Sequence, residues 1–88
     1  MASKRLLKRD VNYVMGDIIE AAYVHQLANP EQDPKKTEEI VDEAIQGFDE
    51  LMSKINQRNV ENKKQHFKAI EKELENKAQI LVGKINQL

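Results

Sequence analysis

The chain has no cysteine and no tryptophan, and its 88 residues include only 3 glycines, 2 prolines, 2 tyrosines and 2 phenylalanines. Without cysteine there are no disulfides, no thiolate metal sites and no cysteine nucleophile. So little glycine and proline excludes a collagen-like repeat or a Pro/Gly-rich disordered composition. No glycine-rich phosphate loop, dinucleotide fingerprint, GxSxG elbow or HExxH pair occurs, so nucleotide, hydrolase and zincin chemistries lack their usual carriers. Scarce aromatics remove the stacking platforms that single-stranded nucleic acid uses. Long apolar runs are missing too. The longest, Ala21-Ala22-Tyr23-Val24, is far short of the ~20 residues a spanning helix needs. Lys4, Arg5, Lys8 and Arg9 imitate the start of a signal peptide, but no apolar stretch follows them. The expectation is a cytoplasmic protein without membrane contact.

A net charge of one sign is also lacking, since 14 basic residues face 15 acidic ones. The balance hides blocks. Residues 1–10 carry +3, Asp17 and Glu20 carry −2, residues 31–50 carry −6, and the chain from Lys54 onward carries +4.

What is present suits long amphipathic helices: 40% hydrophobic and 33% charged residues, rich in Leu, Ile, Glu, Lys and Gln. Two breaks divide the chain. Asn29-Pro30 ends a first helix, because the residue before proline is pushed out of the α region. Asp33-Pro34 opens a second, with a carboxylate N-cap followed by proline at the first helical position. Gln57-Arg58-Asn59 is a weaker break without proline, where Asn59 suits a left-handed C-terminal residue or the next N-cap. It leaves open whether the third segment folds back or continues the second.

Within each segment the apolar residues step by three and four. Leu7, Val11, Val14, Ile18, Ala22 and His25 form one stripe, with Met15 and Ile19 beside it. Val41, Ala44, Phe48, Leu51 and Ile55 form another, flanked by Ile40, Ile45 and Met52. Phe67, Ile70, Leu74, Ala78, Leu81, Ile85 and Leu88 form the third. These are single-face helical periods averaging close to 3.5 residues. They predict helices over residues 3–27, 34–57 and 60–87 of a single domain, 1–88. The expected fold is all-α, an up-down-up three-helix antiparallel bundle with shallow, coiled-coil-like packing.

Candidate chemistry is sparse. His25 and His66 fall at opposite ends of such a bundle, and neither follows a glutamate by three residues, as carboxylate-bridged metal bundles require. His25 reads as a histidine at a core edge. The acidic run Glu38, Glu39, Asp42, Glu43, Asp49 and Glu50 reads as a solvated face, or one paired with lysines drawn from Lys63, Lys64, Lys68 or Lys72. Gly47, at the edge of the second stripe, reads as room for a close helix crossing, since glycine inside a helix costs ~1 kcal/mol against alanine. No catalytic residue, cofactor or metal site is expected, and the chain reads as non-enzymatic.

The first helix carries apolar residues away from its main stripe. Leu6, Tyr13 and Val24 cluster roughly 120° from it at helical spacing, with Tyr23 and Leu27 further round. Ordinary exposure of single apolar side chains is the competing explanation, but several together suggest contact with another chain. The expected function is protein–protein interaction through Leu6, Tyr13, Tyr23, Val24 and Leu27, including self-association, with a homodimer favoured. The alternative is accessory nucleic-acid binding by Lys4, Arg5, Lys8 and Arg9, which could grip phosphates. Four cations oppose the dipole at a helix start, which hints that they face the acidic stretch from Glu38 to Glu50.

Overall fold

The structure, a computed structural model, describes residues 3–88. Helix α1 spans Lys4–Ala28, α2 spans Pro34–Ile55 and α3 spans Lys63–Asn86, and the described residues contain no strand. Each helix opens on a polar side chain that accepts a hydrogen bond from an otherwise unpaired backbone N–H. Ser3 Oγ accepts from Leu6 N at 3.1 Å, Asp33 Oδ1 from Lys35 N at 3.0 Å, and Asn62 Oδ1 from Gln65 N at 3.1 Å. Asn29 closes α1 twice over, its backbone N–H and its side-chain Nδ2 both donating to the His25 carbonyl.

The helix limits expected at residues 3–27 and 34–57 shift by one or two residues, and the third helix begins at Lys63 rather than residue 60. The cause is local. α2 already closes on Asn56, Asn59 in the link adopts φ 61°, a left-handed conformation that cannot belong to a helix, and it is Asn62, three residues later, that caps α3. The second and third segments are therefore separate helices.

All three helices pack on one another in a rod of 50 × 19 × 17 Å. Glu43–Lys84, Glu50–Lys77 and Lys54–Glu73 bridge α2 to α3 at 2.6, 3.0 and 2.8 Å. The two residue numbers of each pair add to the same total, as antiparallel neighbours in constant register require. At the far end Thr37 Oγ1 of α2 donates to Gln26 Oε1 of α1 at 3.0 Å, tying those helices together beside their short link. α1 and α3 thus run the same way, each antiparallel to α2. Leu7, Val11, Met15, Ile18 and Ala22 of α1 meet Ile40, Val41, Ala44, Leu51 and Ile55 of α2, while α3 adds Ile70, Leu74 and Leu81. Met15 lies at the centre of the α1 stripe, and Val14 is only partly buried against it.

Candidate functional site

The buried residues of α1 set the direction of the bundle. Measured from them at 100° per residue, Leu6, Tyr13 and Val24 lie about 140–160° away to one side and Tyr23 and Leu27 about 120–160° to the other, together spanning roughly 100° of the outer side of the helix. All five are exposed, from 40% for Leu6 to 80% for Leu27. The structure brings them into one strip along α1, interleaved with Arg9, Gly16 and Glu20, which are exposed as well. Ile45 of α2 and Ile80 and Val82 of α3 are further exposed aliphatics, but they sit on different helices.

The basic start of α1 does not face the acidic stretch of α2. The antiparallel arrangement sets it beside the end of α2 and the beginning of α3, where Lys4 lines an open groove of about 370 Å³ with Arg58, Lys63, His66 and Phe67. Cation thus meets cation at this end. Arg9 has only its neighbour Asp10, at 3.6 Å, as an ion-pair partner among the described residues. The α2 carboxylates are paired elsewhere than expected, Glu43 with Lys84 and Glu50 with Lys77. The lysines at positions 63, 64, 68 and 72 lie in the wrong half of α3 to reach them. Sequence alone carries no signal for this, since the pairing follows from the register between the helices.

The two histidines belong to opposite ends. His66 Nε2 stands 2.7 Å from the Lys54 carbonyl oxygen. A carbonyl only accepts, so this nitrogen carries the proton and donates to one of the unpaired carbonyls in the last turn of α2. His25 is half-buried near the other end, and its Nδ1 is buried without a hydrogen-bond partner. No group of three or more histidine, aspartate or glutamate side chains among the described residues is placed to hold a metal ion. A second open groove, about 260 Å³, lies between Lys36, Glu39 and Ile40 of α2 and Lys84 and Leu88 at the chain's end. The Lys84–Glu43 ion pair lies within it. No helix among the described residues is long and apolar enough to cross a membrane.

Fold and surface together define an all-α three-helix bundle with an uncovered apolar strip on its first helix. Compared with family models, curated proteins and solved structures, the chain matches none.

Proposed function

We propose that this chain is a helical-bundle interaction module whose outer α1 face docks on another polypeptide, a second copy of itself included. The observation that carries the reading is the alignment of Leu6, Tyr13, Tyr23, Val24 and Leu27 on one exposed strip opposite the core. Single exposed apolar residues are ordinary on protein surfaces. Two tyrosines among three aliphatics on one helix face fit the composition of interface centres in which tyrosine is enriched. The strip lies on a helix that is already folded, so docking does not require that backbone to be ordered.

The test is a pair of substitutions, Tyr13→Lys with Val24→Lys. Both positions are exposed, so circular dichroism should show unchanged helicity and thermal midpoint. Association, read by sedimentation for self-contact or by co-purification for another partner, should fall by tenfold or more. Unchanged association would assign the contact to another face.

A second reading, nucleic-acid binding, draws support from the joining of Lys4 by Arg58 and Lys63 around one groove. It predicts binding that weakens linearly in log salt. Absence of a mobility shift with duplex or single-stranded nucleic acid at low salt removes it.

A further inference from the structure

The outer strip of α1 carries four apolar side chains, one glycine and two opposite charges in a fixed order. Leu6, Arg9, Tyr13, Gly16, Glu20, Tyr23 and Leu27 follow one another at steps of three and four without a break. This is the heptad spacing that lets two helices pack along a shared seam. Leu6, Tyr13, Glu20 and Leu27 occupy one seam position, and Arg9, Gly16 and Tyr23 the other. In an antiparallel pair, each residue of the first kind lies across from one of the second.

We infer that the partner of this face is a second copy of the chain, docked α1 against α1 in antiparallel register, with Tyr13 over Gly16 and Arg9 beside Glu20 of the other copy. The inference rests on the proposed α1 docking face and specifies its occupant. In that register Leu6 meets Tyr23 of the second copy, Arg9 meets Glu20 and Tyr13 meets Gly16, and twofold symmetry repeats every contact. Two features of the isolated chain find a role there. Gly16 has no atom within 4 Å of where a Cβ would stand, so nothing inside the bundle requires glycine; a tyrosine ring crossing from the other copy does. Glu20 has no ion-pair partner among the described residues, and Arg9 has only the weak contact with Asp10. Each provides the charge the other lacks.

A parallel pair would set Arg9 against Arg9 and Glu20 against Glu20, so charge selects the antiparallel form. The larger charge pattern agrees. The basic first turns of each α1 would lie along the last turns of the other α1, which carry Glu20 and lead into Glu31 and Asp33. Asp10 and Asp17 flank the seam on both copies and oppose association, which limits its strength. So does area. A strip ~33 Å long and ~10 Å wide covers roughly 330 Å² on each copy, about two-fifths of the ~800 Å² that a standard interface buries per partner. The dimer belongs to the weak class and has to be measured up to millimolar concentration.

The experiment is sedimentation equilibrium from about 5 µM to 1 mM on the full chain and on Arg9→Glu, Glu20→Arg, the double exchange, Gly16→Gln, and Tyr13→Lys with Val24→Lys, each checked for helicity. The parent should dimerise. Each single charge reversal should raise Kd at least fivefold, and the double exchange should return it to within twofold of the parent. Gly16→Gln should raise Kd at least fivefold while leaving the fold intact. A parent that stays monomeric at 1 mM overturns the inference and leaves the face to a different chain. Dimers lost with Tyr13→Lys and Val24→Lys, but with single charge reversals that the double exchange does not repair, overturn the register and keep the face. Dimers indifferent to Tyr13→Lys and Val24→Lys overturn the inference and the docking face together.

Discussion

Gly16 and Gly47 each sit inside a helix, where glycine costs about 1 kcal/mol against alanine, yet they stand in opposite surroundings. Gly47 is buried, and a Cβ there would meet Lys77 Cδ at 3.5 Å and the Met15 Cε at 3.7 Å, both ordinary contact distances. The stem of Lys77 passes over this glycine on its way to Glu50. The sequence marks Gly47 as lying at a core edge, but what occupies the space above it is a methionine methyl and a lysine stem rather than a crossing backbone. Gly47→Ala is therefore expected to raise the free energy of unfolding by about 0.5–1 kcal/mol, seen as a higher urea midpoint at constant slope. Leu51 is the contrasting case, fully buried toward the C-terminal end of α2. Leu51→Ala should lower stability by about 2–5 kcal/mol through lost burial and the cavity left behind, measured the same way. A loss below 1 kcal/mol would mean that the neighbouring helices close around the gap.

At the scale of the element, helix starts were legible where one side chain decides them. Asp33 and Pro34 act on their own backbone, so the beginning of α2 could be read directly. The beginning of α3 could not, because Asn59 and Asn62 compete for the capping role and both are asparagine. The core stripes were legible for the same local reason: period alone identifies Leu7, Val11, Ile18 and Ala22, and all are buried. Period does not reveal which flank meets a neighbour. Ile40 and Ile45 both flank the α2 stripe, yet Ile40 is buried and Ile45 is exposed. The lysine partners of Glu43 and Glu50 were hidden likewise, since they depend on antiparallel register. The α2–α3 link carries its own prediction. Asn59 holds φ 61°, where asparagine and glycine are tolerated and a β-branched residue is strained by about 1–2 kcal/mol. Asn59→Gly should leave the thermal midpoint nearly unchanged, and Asn59→Val should lower it by several degrees. Equal midpoints for both would mean that the link relaxes without disturbing the helices.

On the scale of the whole molecule, a rod 50 Å long and under 20 Å wide has little interior. Chains of this size retain roughly 4–13 kcal/mol of net stability, so any contact that covers the α1 strip is a sizeable addition. The ion pairs along α2 and α3 contribute little to that total, because they are partly exposed and such pairs are worth about 0–1 kcal/mol each. Self-docking would couple stability to concentration, since a ligand that binds only the folded state stabilises it by RT ln(1 + [L]/Kd). At free chain tenfold above Kd that is about 1.4 kcal/mol, and for domains of this length each kcal/mol moves the thermal midpoint by about 4–8 °C. The parent chain should therefore melt roughly 6–11 °C higher at such a concentration than when diluted well below Kd. The variant with Tyr13→Lys and Val24→Lys should melt at one temperature throughout, matching the diluted parent, because both positions are exposed and outside the core. Calorimetry across that range makes the comparison. A parent midpoint that does not move with concentration shows that copies do not cover each other's α1 face, whereas a variant that melts low at every concentration shows that Tyr13 and Val24 support the bundle itself.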